Sequence, residues 1–171
     1  MIKNLLFVSM LGALIAAVGC QVNEQRIREI VREELNAAMK RTAILDAYTV
    51  GPYSPAQRAG NFLFVSGQIA LNQLSGVLEN KDIETETRQA LDNLMMILRN
   101  AGFDSIDVIA TTVYLKDIND YAKMNSIYGG YFQEGNYPAR ATVQVAALPR
   151  DARVEISAIA YGNPSLRDKS Q

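Results

Sequence analysis

Two stretches near the C-terminus alternate apolar and polar side chains with a period of two, and this pattern restricts the fold more than any other feature. In YPARATVQVAALP, Arg140 opens a run with Val143, Val145 and Ala147 on alternate positions; in DARVEISAIAYG, Glu155 stands between Val154 and Ile156. Side chains two apart share one face of a strand, so both stretches read as strands of a half-buried sheet. The segment Leu148-Pro149-Arg150-Asp151-Ala152 between them reads as a turn, most simply that of a hairpin. A guanidinium at the head of one strand and a carboxylate inside the next supply an anion clamp and a potential base. Arg140 and Glu155 are therefore the candidate catalytic pair.

Upstream, strand and helix patterns alternate in a compact order. Phe62 to Ser66 and Val108 to Leu115 are rich in branched and aromatic residues and read as strands. Between them, Ile83 to Ala101 carries Thr87, Ala90, Leu91, Leu94, Met95 and Leu98 at helical spacing and stops at Gly102. A second helix, with Asn119 as its cap, would bury Met124, Ile127, Tyr128, Tyr131 and Phe132. The fold class expected is α+β, with two helices packed on one face of the sheet. The other face is expected to hold Thr142, Gln144, Arg153 and Ser157, a mixture that packing in a closed oligomer would cover.

Composition removes several classes of chemistry. The 171 residues include 17 basic and 18 acidic side chains, so no strong field favours a polyanion, and nucleic acid is not an expected partner. There is no His, which excludes an imidazole base, a Ser-His-Asp triad and a His-ligated metal. No phosphate-binding loop or dinucleotide fingerprint is present, and no cofactor or metal is expected. Catalysis would have to use carboxylate, hydroxyl, guanidinium and backbone groups.

The N-terminus reads separately from the rest. Lys3, an apolar run from Leu5 to Val18, and Ala17-Val18-Gly19 before the single cysteine, Cys20, resemble a bacterial lipoprotein signal peptide. The resemblance implies removal of residues 1–19 and lipidation of Cys20. It also implies an exported protein held by its lipid on the cell envelope, on the outer membrane where the host has two. An uncleaved anchor or an ordinary secretory signal is the alternative. The segment 20–43 is expected to be a helical linker, its Ile27, Ile30, Val31, Leu35, Ala38 and Met39 lying near one face. That helix serves either as a short association spacer or as a solvated link. Residues 44–163 form the expected domain, and 164–171 a polar tail.

Six ordered motifs in that domain resemble the RidA (YjgF) family of enamine/imine deaminases. They are GPYSPA from Gly51, FVSGQIA from Phe64, ALDNL from Ala90, MNSIYGGYF from Met124, YPARATVQV from Tyr137 and LPRDARVEISAIA from Leu148. The resemblance implies a chorismate-mutase-like fold, a homotrimer with clefts between subunits, and no cofactor. It implies that Arg140 clamps a substrate carboxylate, that Glu155 positions or activates water, and that Tyr53, Ser66, Gly67, Asn125 and Thr142 line the cleft. Thr142 stands where many members have Cys, and Glu86 where many have Gln, the latter read as a surface detail. The implied reaction is hydrolysis of a reactive 2-imino acid, or its enamine tautomer, to a 2-keto acid and ammonia. A structural ion pair between Arg140 and Glu155 is the plain alternative, and a non-catalytic small-acid binding or scaffolding lipoprotein is the rival function.

Overall fold

The computed structural model describes residues 24–162; the expected leader, Cys20 and the polar tail lie outside them. Two compact units divide the chain, Met1–Lys40 and Arg41–Gln171. In the first, α1 spans Glu24–Met39 and leaves Ile27, Ile30, Val31 and Leu35 exposed. Arg28 pairs with Glu24 at 2.7 Å, one turn apart on the helix surface. Among the described residues no helix is long and apolar enough to cross a membrane.

The second unit holds a six-stranded sheet: β1 Arg41–Ile44, β2 Ala56–Ala59, β3 Phe62–Gln68, β4 Val108–Leu115, β5 Ala139–Gln144 and β6 Val154–Tyr161, in the spatial order β1-β2-β3-β6-β4-β5. The unit thus begins at Arg41, so the expected linker gives up its last residues to an edge strand. Neighbours are antiparallel except β4 and β5, which run parallel. A parallel pair needs a crossover connection, and here it contains the short helix α3, Tyr121–Tyr128.

The long helix, α2, spans Ile83–Asn100. It starts where sequence chemistry places it: the Asp82 carboxylate accepts the Thr85 amide at 2.7 Å, which satisfies an otherwise orphan donor and holds the Asp82 carboxyl below its usual range. It ends before Gly102, whose φ of 81° is left-handed and cheap only for glycine. Its Ala90, Leu91, Leu94, Ile97 and Leu98 are buried against Leu63, Val65, Ile156, Ala158 and Ala160 of the sheet. Met124, Tyr128 and Phe132 join the same core from the crossover. The cap there is not Asn119: the Asp117 side chain accepts the Asn119 amide and caps a 3₁₀ turn, and α3 starts afterwards without a side-chain cap.

The hairpin expected from Leu148–Ala152 does not form, because β4 lies between β5 and β6. The reason is the burial each strand demands. β6 buries Val154, Ile156, Ala158 and Ala160, and β4 buries Thr111, Val113 and Leu115, so both take interior places. β5, with its half-exposed ARATVQ, suits an edge.

Register then assigns faces, since residues paired across a ladder point the same way. Arg140 and Thr142 pair with Thr111 and Val113 on the helix-covered side, and Glu155 pairs with Tyr114 on the open side. Thr142 and Gln144 therefore do not share a face with Ser157, contrary to expectation. Beside Glu155 and Ser157 the open face carries large apolar side chains: Phe62, Phe64, Val143 and Tyr161 are each more than two-fifths exposed there.

Candidate active site in two half-sites

Arg140 sits at the start of the edge strand, where β5 meets the crossover helix. Its Nη2 donates to Asn125 Oδ1 at 2.7 Å and to the Tyr121 hydroxyl at 3.1 Å, and its guanidinium carbon lies 4.4 Å from the Tyr128 ring centre. The ring face attracts the cation, and the single amide acceptor fixes its orientation. Both hydrogen bonds use the same nitrogen, so the fork keeps donors for a carboxylate. Beneath it, the Tyr128 hydroxyl meets Thr111 Oγ1 at 2.7 Å, and burial pushes the Tyr128 phenol up, which keeps it neutral. Asn125, Tyr128, Gly129, Tyr137, Pro138 and Arg140 enclose a cavity of about 450 Å³.

Glu155 belongs to a different cavity, of about 310 Å³, lined by Val50, Tyr53, Ser66, Gly67, Ile69, Pro149 and Glu155. Its carboxylate lies against Gly67: a Cβ there would come within 2.6 Å of Cδ and 2.8 Å of Cγ. Gly67 is part of an irregularity in β3 between Val65 and Gln68, opposite β6. The Gln68 side chain secures it by donating to the Ser66 and Gly67 carbonyls at 3.0 and 3.2 Å. Ser66 Oγ donates to the Ser54 carbonyl at 2.8 Å, so its proton braces the GPYSPA loop and the oxygen stays free only to accept. Among the described residues no side chain hydrogen-bonds the Glu155 carboxylate, and burial raises its pKa.

The structure thus brings Asn125 to Arg140, and Tyr53, Ser66 and Gly67 to Glu155, but it does not bring the two groups together within one chain. Three positions along β4 separate their pairing partners, and they stand two strands apart, which puts their Cα atoms about 14 Å apart from standard spacings. Their side chains also leave opposite faces, so no ion pair joins them. Thr142 lines neither cavity: its Oγ1 is buried and has no hydrogen-bond partner among the described residues. Tyr121 and Tyr137 beside Arg140 escaped the sequence reading, and Tyr128 was read only as core. Glu86, expected at the surface, is fully buried, because its turn of α2 faces the sheet. Among the described residues no group of His, Cys, Asp or Glu could hold a metal ion.

A family model described as Endoribonuclease L-PSP matches residues 44–162. The chain belongs to this family, the RidA (YjgF) family. A mouse relative named 2-iminobutanoate/2-iminopropanoate deaminase is 48% identical over 118 residues, 69% of this chain and 87% of that protein. A RutC family protein of Pyrococcus horikoshii is 53% identical over 112 residues, 66% of this chain and 88% of that one. Among solved structures, the YjgF gene product of E. coli superposes with a TM-score of 0.67 at 38% identity, covering 71% of this chain and 99% of its own. The RidA likeness covers the sheet unit from Ile44 onward, and both half-sites lie inside it.

Proposed function

We propose that the protein is an imine deaminase whose active site is completed between subunits of a trimer, Arg140 coming from one chain and Glu155 from its neighbour. The observation that carries this reading is the pair of intact, separate half-sites. One is a cation held by Asn125 and Tyr128 with donors to spare, the other a carboxylate raised in pKa with no hydrogen-bond partner among the described residues. The apolar open face beside Glu155 supplies the surface for association. The deaminase name of the mammalian relatives, including the human protein at 46% identity, supports the substrate class.

In the proposed reaction, the Arg140 fork takes the carboxylate of a 2-imino acid and turns its C=N carbon toward Glu155. Glu155 removes a proton from water as the oxygen adds to that carbon, forming a carbinolamine. Glu155 returns that proton to the nitrogen, and as the C–N bond breaks the carbinolamine hydroxyl gives up its proton, which also goes to the departing nitrogen, so that C=O forms and ammonia leaves. The products are a 2-keto acid and ammonia. No covalent bond to the protein is formed.

Subunit mixing tests both the chemistry and the assembly. Arg140→Ala and Glu155→Gln should each be inactive on imine generated by an amino-acid oxidase. Co-refolded together, they should regain about a quarter of wild-type activity, since a random trimer pairs an intact Arg140 with an intact Glu155 at one cleft in four. Mixed trimers that stay inactive would end the intersubunit reading. We also propose that Cys20 is lipidated and anchors the trimer to the bacterial envelope. Palmitate labelling in a bacterial host should vanish in Cys20→Ser, and persistent labelling of that variant refutes the anchor.

A further inference from the structure

A carboxylate buried in a core is costly unless every oxygen is satisfied. Glu86, on α2, is fully buried, and a single residue serves both of its oxygens: Oε2 accepts the Arg153 backbone N–H at 2.7 Å, and Oε1 accepts Arg153 Nη1 at 2.7 Å. The same Nη1 donates to the Asn80 carbonyl at 2.8 Å, and the Arg153 carbonyl accepts the Lys116 amide at 2.9 Å. Residue 153 is therefore fixed through its amide, its carbonyl and its side chain. It immediately precedes β6, and Glu155 lies two residues on.

The approach to this point is strained. Arg150 and Asp151 both have left-handed backbones, with φ of 56° and 62°, a conformation that branched or ordinary side chains adopt only at a cost. A chain leaving such a turn has no local preference for one strand register over the next. Register matters here in the extreme, since a slip of one residue would exchange Glu155 for a core position. The Glu155 carboxylate fills the space that a side chain at residue 67 would take, so its place depends on how β6 enters the sheet. Buried ion pairs contribute little net stability compared with apolar residues of the same volume, so stability alone does not account for this one.

We infer that Glu86 is a positioning residue for the reaction, acting through Arg153 to set the entry of β6 and so the place of the Glu155 carboxylate. The inference rests on the deaminase reading for its role, but its geometry can be tested apart from turnover. Glu86→Leu removes both bonds, while Glu86→Gln keeps an acceptor for the Arg153 amide.

In the full-length protein, Glu86→Leu should lower kcat about tenfold or more, while KM and keto-acid binding, set by Arg140, change less than about twofold; Glu86→Gln should recover most of the loss. Should Glu86→Leu not fold, Arg153→Lys keeps the amide bond and weakens the side-chain bonds to Glu86 and the Asn80 carbonyl; it should lower kcat about threefold with KM unchanged. Titration of the Glu155 carboxyl by NMR is the second readout. It should move toward the ordinary value of 4.5 in the leucine variant and hold in the glutamine variant. A wild type that titrates as described yet hydrolyses no imine defeats the deaminase reading and leaves the positioning geometry standing. Wild-type kcat and an unmoved Glu155 titration in folded Glu86→Leu would overturn the inference. Activity losses that merely track melting temperature across all variants would do the same.

Discussion

Adding one methyl group at Gly67 should disable the enzyme without unfolding it. A Cβ at this position would lie 2.6 Å from Glu155 Cδ, 2.8 Å from Cγ and closer still to Oε1. Ordinary carbon contacts begin near 3.5 Å, so the carboxyl group must retreat by about 1 Å. The groups being struck belong to a flexible, half-exposed side chain, and Gly67 is not among the glycines with a left-handed backbone, so the folded state can absorb the change. The proposed reaction cannot. A misplacement of about 1 Å at a catalytic group costs on the order of 100-fold, or about 2.7 kcal/mol of transition-state stabilisation. Steady-state imine hydrolysis by Gly67→Ala, with thermal melts alongside, measures both quantities. The Glu155→Gln background sharpens the test: with the base already removed, the extra methyl should cost almost nothing further. Wild-type turnover by folded Gly67→Ala, or full additivity with Glu155→Gln, would refute the placement of Glu155 as the reacting group.

Two other outcomes follow from the electrostatics and packing. Burial raises the Glu155 pKa above the 4.5 of an unhindered carboxyl, so the folded state binds this proton more tightly than the unfolded one. Its ionisation thus costs stability as pH rises from 4.5 through the folded value, and Glu155→Gln should melt above wild type at pH 7, with the gap closing below pH 4.5; a gap that widens in acid contradicts the sign. Thr142 Oγ1 is buried without a hydrogen-bond partner among the described residues, so Thr142→Val should stabilise the protein by about 1 kcal/mol in denaturant titrations, and a destabilised variant would mean that a neighbouring subunit or ligand supplies the missing bond.

Local chemistry made some of the fold legible. The strand Val108–Leu115 and the helix from Ile83 with its stop at Gly102 could be read from periodicity and capping because burial and local preference agree in them. β1 and β2 could not: each has four residues, and AQRA contains no branched or aromatic side chain, so its strand character comes from pairing with β3. The hairpin reading failed because adjacency in sequence says nothing of a strand that inserts between two others. For the site, motif likeness pointed to Arg140 and Glu155 and to four residues that the structure sets beside them, Asn125, Tyr53, Ser66 and Gly67. It could not show that these residues face away from each other, which depends on strand order. Glu86 was misjudged for a related reason: a charged residue on a helix reads as solvated until its partner, distant in sequence, is known.

The two half-sites differ in how much chain must close before each exists. The Arg140 pocket is drawn from one β4-α3-β5 crossover, Thr111 through Arg140, a contiguous piece of sequence. The Glu155 pocket joins β3 to β6 across the whole domain, with the entire α2 and crossover region looped out between them. Loop closure of that kind is slow, so during folding the Arg140 half-site should be complete while the Glu155 half-site still waits for β6 to dock.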